Sequence, residues 1–283
     1  MLNQKELHEQ VLYPVVRVRT PKAGGSGTII YSKSNPLLPE EYQTFIITCS
    51  HVIEDAISTR KEWHPVLKKK VDMEFLEQVD VEVFDYVYLS RVNSSNSFKA
   101  EIVAYDKLRD IAILKLISPK VQSYVAKIIP KDKIASVKLF SPTYTAGCSL
   151  LHDPFANAGQ ITFLTEMIDN KPYWMSNGAS IFGNSGGAVF LAETGEQVGL
   201  TARITVIPIG FSGVDIITWM GFSIAPQQIY DFIDEQDLKF FVDLTDTYEQ
   251  SMKRRALKAR RALVSKRDEE EEEGYSYTTP TKG

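Results

Sequence analysis

Apolar residues along this chain fall mainly in short alternating or continuous runs bounded by turn residues, the pattern of strands, and helical spacing is confined to the two ends. Asn3 to Gln10 has helical character. Val15, Val16 and Val18, set among Arg17 and Arg19, begin an alternating strand. The glycine-rich turn Ala23-Gly24-Gly25-Ser26-Gly27 then leads into a second strand, Thr28-Ile29-Ile30-Tyr31. After a polar loop from Ser32 to Glu41, the β-rich run Thr44-Phe45-Ile46-Ile47-Thr48-Cys49 ends in Ser50-His51-Val52-Ile53. Glu54 to Val71 is mixed and rich in lysine, and its pattern fits a helix or a loop. Val79, Val81 and Val83 alternate with Asp80 and Glu82 in a half-exposed strand reaching Leu89. Asn93-Ser94-Ser95-Asn96 is expected to turn the chain, with Phe98 to Tyr105 returning. Ile111-Ala112-Ile113-Leu114-Lys115-Leu116 completes about six strands before Ser118.

Pro119 to Asp132 has the polar, proline-containing composition of a connector. A second set of short strands is expected at Ile134 to Phe140, Thr145 to Leu151, Gly159 to Met167, Pro172 to Ser176, Ala188 to Leu191, Gln197 to Thr205 and Ile216 to Ser223, with Glu193-Thr194-Gly195-Glu196 as a hairpin turn. Pro226 to Phe241, with Ile229, Phe232 and Ile233 at helical spacing, is expected to close the second half as a helix. The pattern predicts an all-β fold of two barrels or sandwiches with terminal helices. The expected divisions are 1–118, a connector at 119–132, 133–242, and a tail at 243–283.

Composition narrows the class. The 283 residues are 43% hydrophobic and 24% charged, enough for a full core, and the net charge of −4 gives no overall bias toward nucleic acid. The two cysteines, Cys49 and Cys148, sit in apolar strand contexts. They could form one disulfide, but two buried free thiols in a reducing compartment are the preferred reading. The N-terminus lacks the basic start and apolar run of a secretory signal, and no apolar stretch is long enough to span a bilayer. A cytoplasmic protein without membrane contact is therefore expected, with a virion-associated one as the variant.

The tail changes the charge picture locally. Met252, Ala256, Ala259 and Leu263 recur at helical spacing beside Lys253, Arg254, Arg255, Lys258, Arg260, Arg261, Lys266 and Arg267, so a helix over 253–267 presents a basic face. Asp268 and the run Glu269 to Glu273 nearly neutralise it, and the residues onward to Pro280 are expected to be disordered. Nucleic-acid binding through the basic face, an oligomerising helix and a solvated tail all stay open.

Three features, each ordinary alone, carry the chemistry. His51 closes a strand, Asp110 immediately precedes an apolar strand, and Ser185 lies on the tight turn Gly183-Asn184-Ser185-Gly186-Gly187. Such a turn presents a hydroxyl together with backbone N–H groups aimed at one point, but it is equally the composition of any turn before a strand. The order His51, Asp110, Ser185, split between the two halves, resembles the chymotrypsin-like serine proteases. Ile47-Thr48-Cys49-Ser50-His51-Val52-Ile53 is similar to that family's histidine box, Arg109-Asp110-Ile111-Ala112-Ile113-Leu114-Lys115 to its aspartate box, and Gly183 to Gly187 to its serine box. Gly25-Ser26-Gly27, Val198-Gly199-Leu200 and Gly221-Phe222-Ser223-Ile224-Ala225 resemble the HtrA/Deg branch, and the similarity covers roughly Val11 to Phe241.

The resemblance implies two six-stranded antiparallel β-barrels and a serine endopeptidase that needs no cofactor and acts on a protein or peptide substrate. His51 would be the base, Asp110 its orienter and Ser185 the nucleophile, with the oxyanion hole in the stretch Gly183, Asn184, Ser185. Asn184 stands where digestive members carry an acid that locks the activated state, so processing of the N-terminus is not expected to be required. The family's pocket base falls on Ala179 and Ser180, which supply no acid for a Lys or Arg side chain. Thr201, Ala202 and Arg203 would form the substrate-binding edge, and cleavage after small or aliphatic residues is expected.

The chain departs from the HtrA pattern in an insertion around 61–78, containing His64 and Lys68-Lys69-Lys70, and a peptide-binding domain after the protease unit is not expected. Neither His8 nor His152 pairs with cysteines or acids at metal-ligand spacing, so no metal site is expected. A housekeeping quality-control protease and a viral or phage processing protease are both compatible with these features. The alternative class is a catalytically inactive binding or assembly module on the same fold; an intact triad argues against it. Oligomerisation stays open.

Overall fold

A computed structural model of the chain describes residues 2–35, 38, 40–65, 68–209 and 213–276, with backbone alone for 263 and 266–276. It forms two compact units, one of Met1–Ser58 with Phe75–Phe232 and one of Thr59–Glu74 with Ile233–Gly283. The first holds most of both expected halves, 1–118 and 133–242, but 59–74 and 233–242 fall in the second. A short helix α1 (Gln4–Leu7) starts it, with Asn3 and Glu6 capping each other's backbone N–H groups at 3.0 and 2.8 Å.

Strands β1 (Val15–Arg19), β2 (Gly24–Ser34) and β3 (Tyr42–Thr48) follow. A hairpin, β4 (Ile57–His64) and β5 (Lys69–Leu76), forms its own two-stranded sheet. Then come β6 (Val79–Val87), β7 (Arg91–Asp106) and β8 (Ile111–Leu116). Strands β1-β2-β3-β8-β7-β6 close into a barrel in that order. Its interior is built from the apolar positions of the alternation, among them the fully buried Val16, Val18, Ile46, Val81 and Leu114.

The second half is a sheet of β9 (Lys127–Ile128), β10 (Pro142–Gly147), β11 (Phe155–Ile168), β12 (Lys171–Ser176), β13 (Ala188–Leu191), β14 (Glu196–Ile209) and β15 (Gly213–Ile224). The order β13-β10-β11-β12-β15-β14 returns on itself because β13 also pairs with β14, giving a second ring of six, with β9 added parallel to β14. Ile129, Ile161, Trp174, Val189, Val198 and Ala225 fill it. Helix α2 (Pro226–Glu235) closes this half, buries Ile229 and Phe232, and donates the Tyr230 hydroxyl to the Ile129 carbonyl at 2.9 Å. A further cluster draws on both barrels, with Val15 and Phe84 from the first meeting Ala146, Cys148, Ala188 and Phe190 from the second.

Several expectations are corrected. Ile134 to Phe140 is not a strand: Lys131–Ser136 is a 3-10 turn, and Ile134 and Val137 pack into the second core at the three-residue spacing of that turn. The chain does not turn at Asn93-Ser94-Ser95-Asn96. It turns at Tyr88-Leu89-Ser90, with Tyr88 and Leu89 in the left-handed region, and the polar side chains of Ser94 and Asn96 reach across the strand pair to Asp85 at 3.3 and 2.6 Å. Strand β10 ends at Gly147, and Ser149–Leu151 turns the chain with Leu150 and Leu151 in the left-handed region, where the sequence continues the strand. The helix expected from Pro226 to Phe241 stops at Glu235, with a 3-10 turn at Lys239–Phe241 after it.

In the second unit, helix α3 (Tyr248–Ser276) carries its helical backbone through the acidic run Glu269 to Glu273; residues 277–283 lie outside the described chain. Part of its basic face is engaged at its start. Arg254 pairs with Asp246, Arg255 donates to the Gln236 carbonyl at 2.9 Å, and Lys258 donates to the Glu235 carbonyl at 2.9 Å. Arg254 holds the Asp246 carboxyl below its ordinary range.

Phe190, fully buried in the cluster shared by the two barrels, is the position where a cavity is most costly. Phe190→Ala is expected to lower unfolding stability by about 3–5 kcal/mol, read as a reduced urea midpoint of the whole protein.

Candidate active site

Neighbouring strands place the first two candidates. β3 and β8 pair antiparallel with Thr48 opposite Ala112, so the residues just after Thr48 and just before Ala112 leave the barrel at one end. His51 follows Thr48 on a 3-10 turn, Ser50–Ala56, and Asp110 precedes Ile111 in a left-handed conformation, φ 59°. Aspartate enters that region more readily than most residues. The turn ahead of it is fastened by Asp106, whose carboxylate accepts from the Leu108 and Arg109 N–H groups at 2.7 and 2.9 Å and from the Arg109 guanidinium at 2.6 Å. These bonds outweigh the cost of burial and hold the Asp106 carboxyl below its ordinary range.

Asp110 then grips His51 at two points. Its Oδ2 lies 2.7 Å from Nδ1 of the ring, and its Oδ1 accepts the His51 backbone N–H at 2.9 Å and the Ser50 hydroxyl at 3.1 Å. A carboxylate only accepts, so the ring proton belongs on Nδ1 and the lone pair on Nε2. Nε2 has no partner among the described residues.

Ser185 reaches this pair through backbone groups. Its carbonyl accepts the Ser26 N–H from β2 at 2.8 Å, and the Ser26 carbonyl in turn accepts the Thr48 hydroxyl at 2.7 Å. The Thr201 carbonyl on β14 accepts from both Gly186 N–H at 2.8 Å and the Cys49 thiol at 3.2 Å, so the residues flanking the serine and the histidine converge on one oxygen. Gly186 has φ 85°, and a Cβ there would lie 2.1 Å from the Ser26 carbonyl oxygen; only glycine allows this approach. The Ser185 hydroxyl itself makes no hydrogen bond among the described residues, so the structure joins His51 to Asp110 directly and Ser185 to them through main chain only.

The turn before the serine is a type II turn, Ile181 to Asn184, closed by Asn184 N–H to the Ile181 carbonyl at 3.1 Å with Gly183 at φ 92°. The Phe182 carbonyl accepts Leu150 N–H at 2.8 Å. In a trans peptide the following N–H points the opposite way, so Gly183 N–H faces away from Leu150. Gly183 and Ser185 N–H have no acceptor among the described residues. Asn184 differs from its sequence expectation in that its N–H is engaged with Ile181. Its buried side chain is clasped instead, accepting from the Ser149 hydroxyl and donating to the Ser180 hydroxyl at 3.2 Å.

The substrate-binding candidates divide. Ser180 is buried beneath the turn and Ala179 is exposed. Thr201 is 3% exposed, and both its N–H and its carbonyl hold the serine turn, to Gly187 and from Gly186. Ala202 and Arg203 line a cavity of about 300 Å³ with Ser50, His51, Glu54, Lys107 and Asp110. Arg203 is steadied by Asp169 at 2.9 Å and lies 5.4 Å above the Tyr173 ring. Cys49 offers a third ligand-type atom beside His51 and Asp110, but burial, followed by the Asp110 charge, pushes its thiol well above the ordinary range, so it serves as an S–H donor to Thr201. Sequence reasoning missed Ser26 as a part of the site, although the Gly25-Ser26-Gly27 motif was its signal, and it missed Leu150.

Comparison with known proteins agrees with this architecture. The chain is similar in structure to the HtrA-type protease AlgW with a tripeptide, in two structures at 15% and 16% identity, each with a TM-score of 0.57, covering 83% of this chain and 63% of those chains. It is also similar to the serine endoprotease from Yersinia pestis, at 18% identity and a TM-score of 0.54, covering 83% of this chain and 66% of that one. These likenesses show the fold, and the chain spans less than two thirds of the AlgW chains it matches. No curated protein sequence matches the chain. The sequence model of the trypsin-like peptidase domain matches residues 25–200, more than half of the chain, and the chain belongs to that family.

Proposed function

We propose that the chain is a serine endopeptidase in which Ser185 is the nucleophile, His51 the general base and Asp110 the group that orients it. The observation that carries the reading is the double grip of Asp110 on His51, at 2.7 and 2.9 Å, which fixes both the ring's tautomer and its position and leaves Nε2 as a free base. A serine hydroxyl is a poor nucleophile at neutral pH, so Nε2 takes its proton as Oγ attacks the scissile carbonyl. The tetrahedral oxyanion is received by the unengaged N–H groups of Gly183 and Ser185. His51 then gives the proton to the leaving amine, and an acyl-enzyme on Ser185 remains. Water, deprotonated by the same ring, releases the acid and restores the hydroxyl.

The uncharged Ala179 and Ser180 at the family's pocket base support cleavage after small or aliphatic side chains. The cavity between His51 and Arg203 supports binding of the neighbouring substrate residue next to the base. Thr201 acts in this reading through its backbone, as a strut under the serine turn, while Ala202 and Arg203 meet the substrate.

A fluorophosphonate probe is expected to label the full chain stoichiometrically and to leave Ser185→Ala unlabelled; an unlabelled wild-type protein sinks the proposal. In Asp110→Asn the amide can donate to the ring and reverse the tautomer. That variant is expected to lose roughly 10⁴-fold in kcat at neutral pH with KM little changed, measured on a peptide with a small aliphatic residue before the cut. The other candidate nucleophile beside the pair is Cys49. Burial raises both thiols, Cys148 up to about 12, so neither is expected to take up iodoacetamide near pH 8 until the protein is denatured, as read by intact mass.

A further inference from the structure

The orientation of the Phe182–Gly183 peptide depends on one hydrogen bond, from Leu150 N–H to the Phe182 carbonyl at 2.8 Å. Leu150 and the residue after it are both in the left-handed region, φ 51° and 61°, where a branched apolar side chain has no intrinsic reason to be. Something outside the loop must hold it there. The short loop supplies two bonds of its own, Leu151 N–H to the Cys148 carbonyl at 3.0 Å and His152 N–H to the Ser149 carbonyl at 2.9 Å. From outside, two cross-strand neighbours on the first barrel bracket it. In the β1–β2 register Arg17 is opposite Ser26. The Ser26 hydroxyl accepts Cys148 N–H at 2.7 Å at one end of the loop, and the Arg17 guanidinium donates to the Leu151 carbonyl at the other.

Arg17 is built for that task. Only 8% exposed, it is opposite Glu82 of β6, pairs with its carboxylate, and has its guanidinium carbon 5.2 Å from the Phe84 ring centroid. Arg19 approaches the same carboxylate at 2.9 Å, and Asp153 faces Arg17 at 3.9 Å. The planar fork reaches Glu82 and the Leu151 carbonyl together, which a lysine ammonium on its flexible stem does not reproduce.

We infer that Arg17 is a positioning residue for the oxyanion hole: by fixing the Leu151 carbonyl it holds Leu150 left-handed, keeps Leu150 N–H on the Phe182 carbonyl, and so keeps Gly183 N–H turned to the reaction. Without that anchor the loop relaxes, and the Phe182–Gly183 peptide is free to turn over and remove one oxyanion donor. The inference rests on the proteolytic reading for its kinetic consequence but not for its structural one.

The test uses the full chain. Arg17→Lys is expected to lower kcat on a peptide substrate by about 100-fold, the effect of losing one oxyanion donor, with KM changed by less than about threefold. In a ¹⁵N-glycine spectrum on the Ser185→Ala background, the Gly183 amide is expected to move on adding Arg17→Lys while those of Gly195 and Gly221 stay. Glu82→Gln, which keeps the guanidinium but loosens it, is expected to shift kcat and the Gly183 amide in the same sense by a smaller amount, and it decides the matter if Arg17→Lys does not fold. A folded variant with unchanged kcat, or a Gly183 amide that does not move, overturns the inference. If the wild-type protein turns over no peptide, the proteolytic reading fails and the Gly183 amide alone decides the role of Arg17.

Discussion

The placement of the serine turn depends on Ser26, because this one buried residue on β2 ties the serine loop of the second barrel to the first. Its N–H goes to the Ser185 carbonyl, its carbonyl accepts from Thr48, and its hydroxyl both donates to the Gly183 carbonyl and accepts from Cys148 N–H, all within 2.7–2.8 Å. Ser26 is fully buried, so none of these groups has water as an alternative. Each such bond is worth about 1 kcal/mol net, but leaving one polar group unpaired at this depth costs about 1–3 kcal/mol. The asymmetry makes docking of the serine turn nearly all-or-none: a turn displaced from β2 strands several polar atoms at once.

The contrast between what the sequence reveals and what it hides follows from how local each signal is. Strands of the two barrels are legible because they are short apolar runs bounded by turn residues, alternating where one face meets solvent, as in β6, and continuous where both faces are buried, as in β3 and β8. His51 and Asp110 are legible because each sits at a strand end beside an apolar run, and the pairing of β3 with β8 brings them together without further instruction. The β4–β5 hairpin is illegible because most of its residues are exposed, so nothing forces a period of two on them. The 3-10 turn at Lys131–Ser136 is misread because Ile134 and Val137 satisfy the core at a spacing of three. Ser26 is set by Cys148, Gly183 and Ser185, more than a hundred residues away, while Leu150 is set by Phe182 and the backbone role of Thr201 by Gly186 and Gly187, and a local hydrophobic pattern signals none of these contacts.

The site holds several residues in the left-handed region. Asp110, Leu150, Leu151, Gly183 and Gly186 all have positive φ, and three of the five are not glycine. A non-glycine residue in that region costs on the order of 1–2 kcal/mol. Such positions persist because hydrogen bonds on either side over-determine them, as Asp106 does for the turn before Asp110. At these positions the unfavourable local conformation is balanced by hydrogen bonds, local ones before Asp110 and longer-range ones around Leu150 and Gly186.

Asn184 shows how the same turn is locked without charge. A carboxylate buried at 2% exposure would require a counter-ion, and removing that partner would leave an uncompensated charge at a cost of about 3–5 kcal/mol. An amide needs only hydroxyls. Ser149 donates to its oxygen and Ser180 accepts from its nitrogen, so the turn is held by neutral bonds supplied by its two neighbouring loops. Because Ser149 lies between Cys148, bonded to Ser26, and Leu150, bonded to Phe182, the amide lock and the oxyanion turn are parts of one connected unit. The Asn184 lock and the orientation of the Phe182–Gly183 peptide are therefore both tied to the loop that Ser26 anchors to the first barrel.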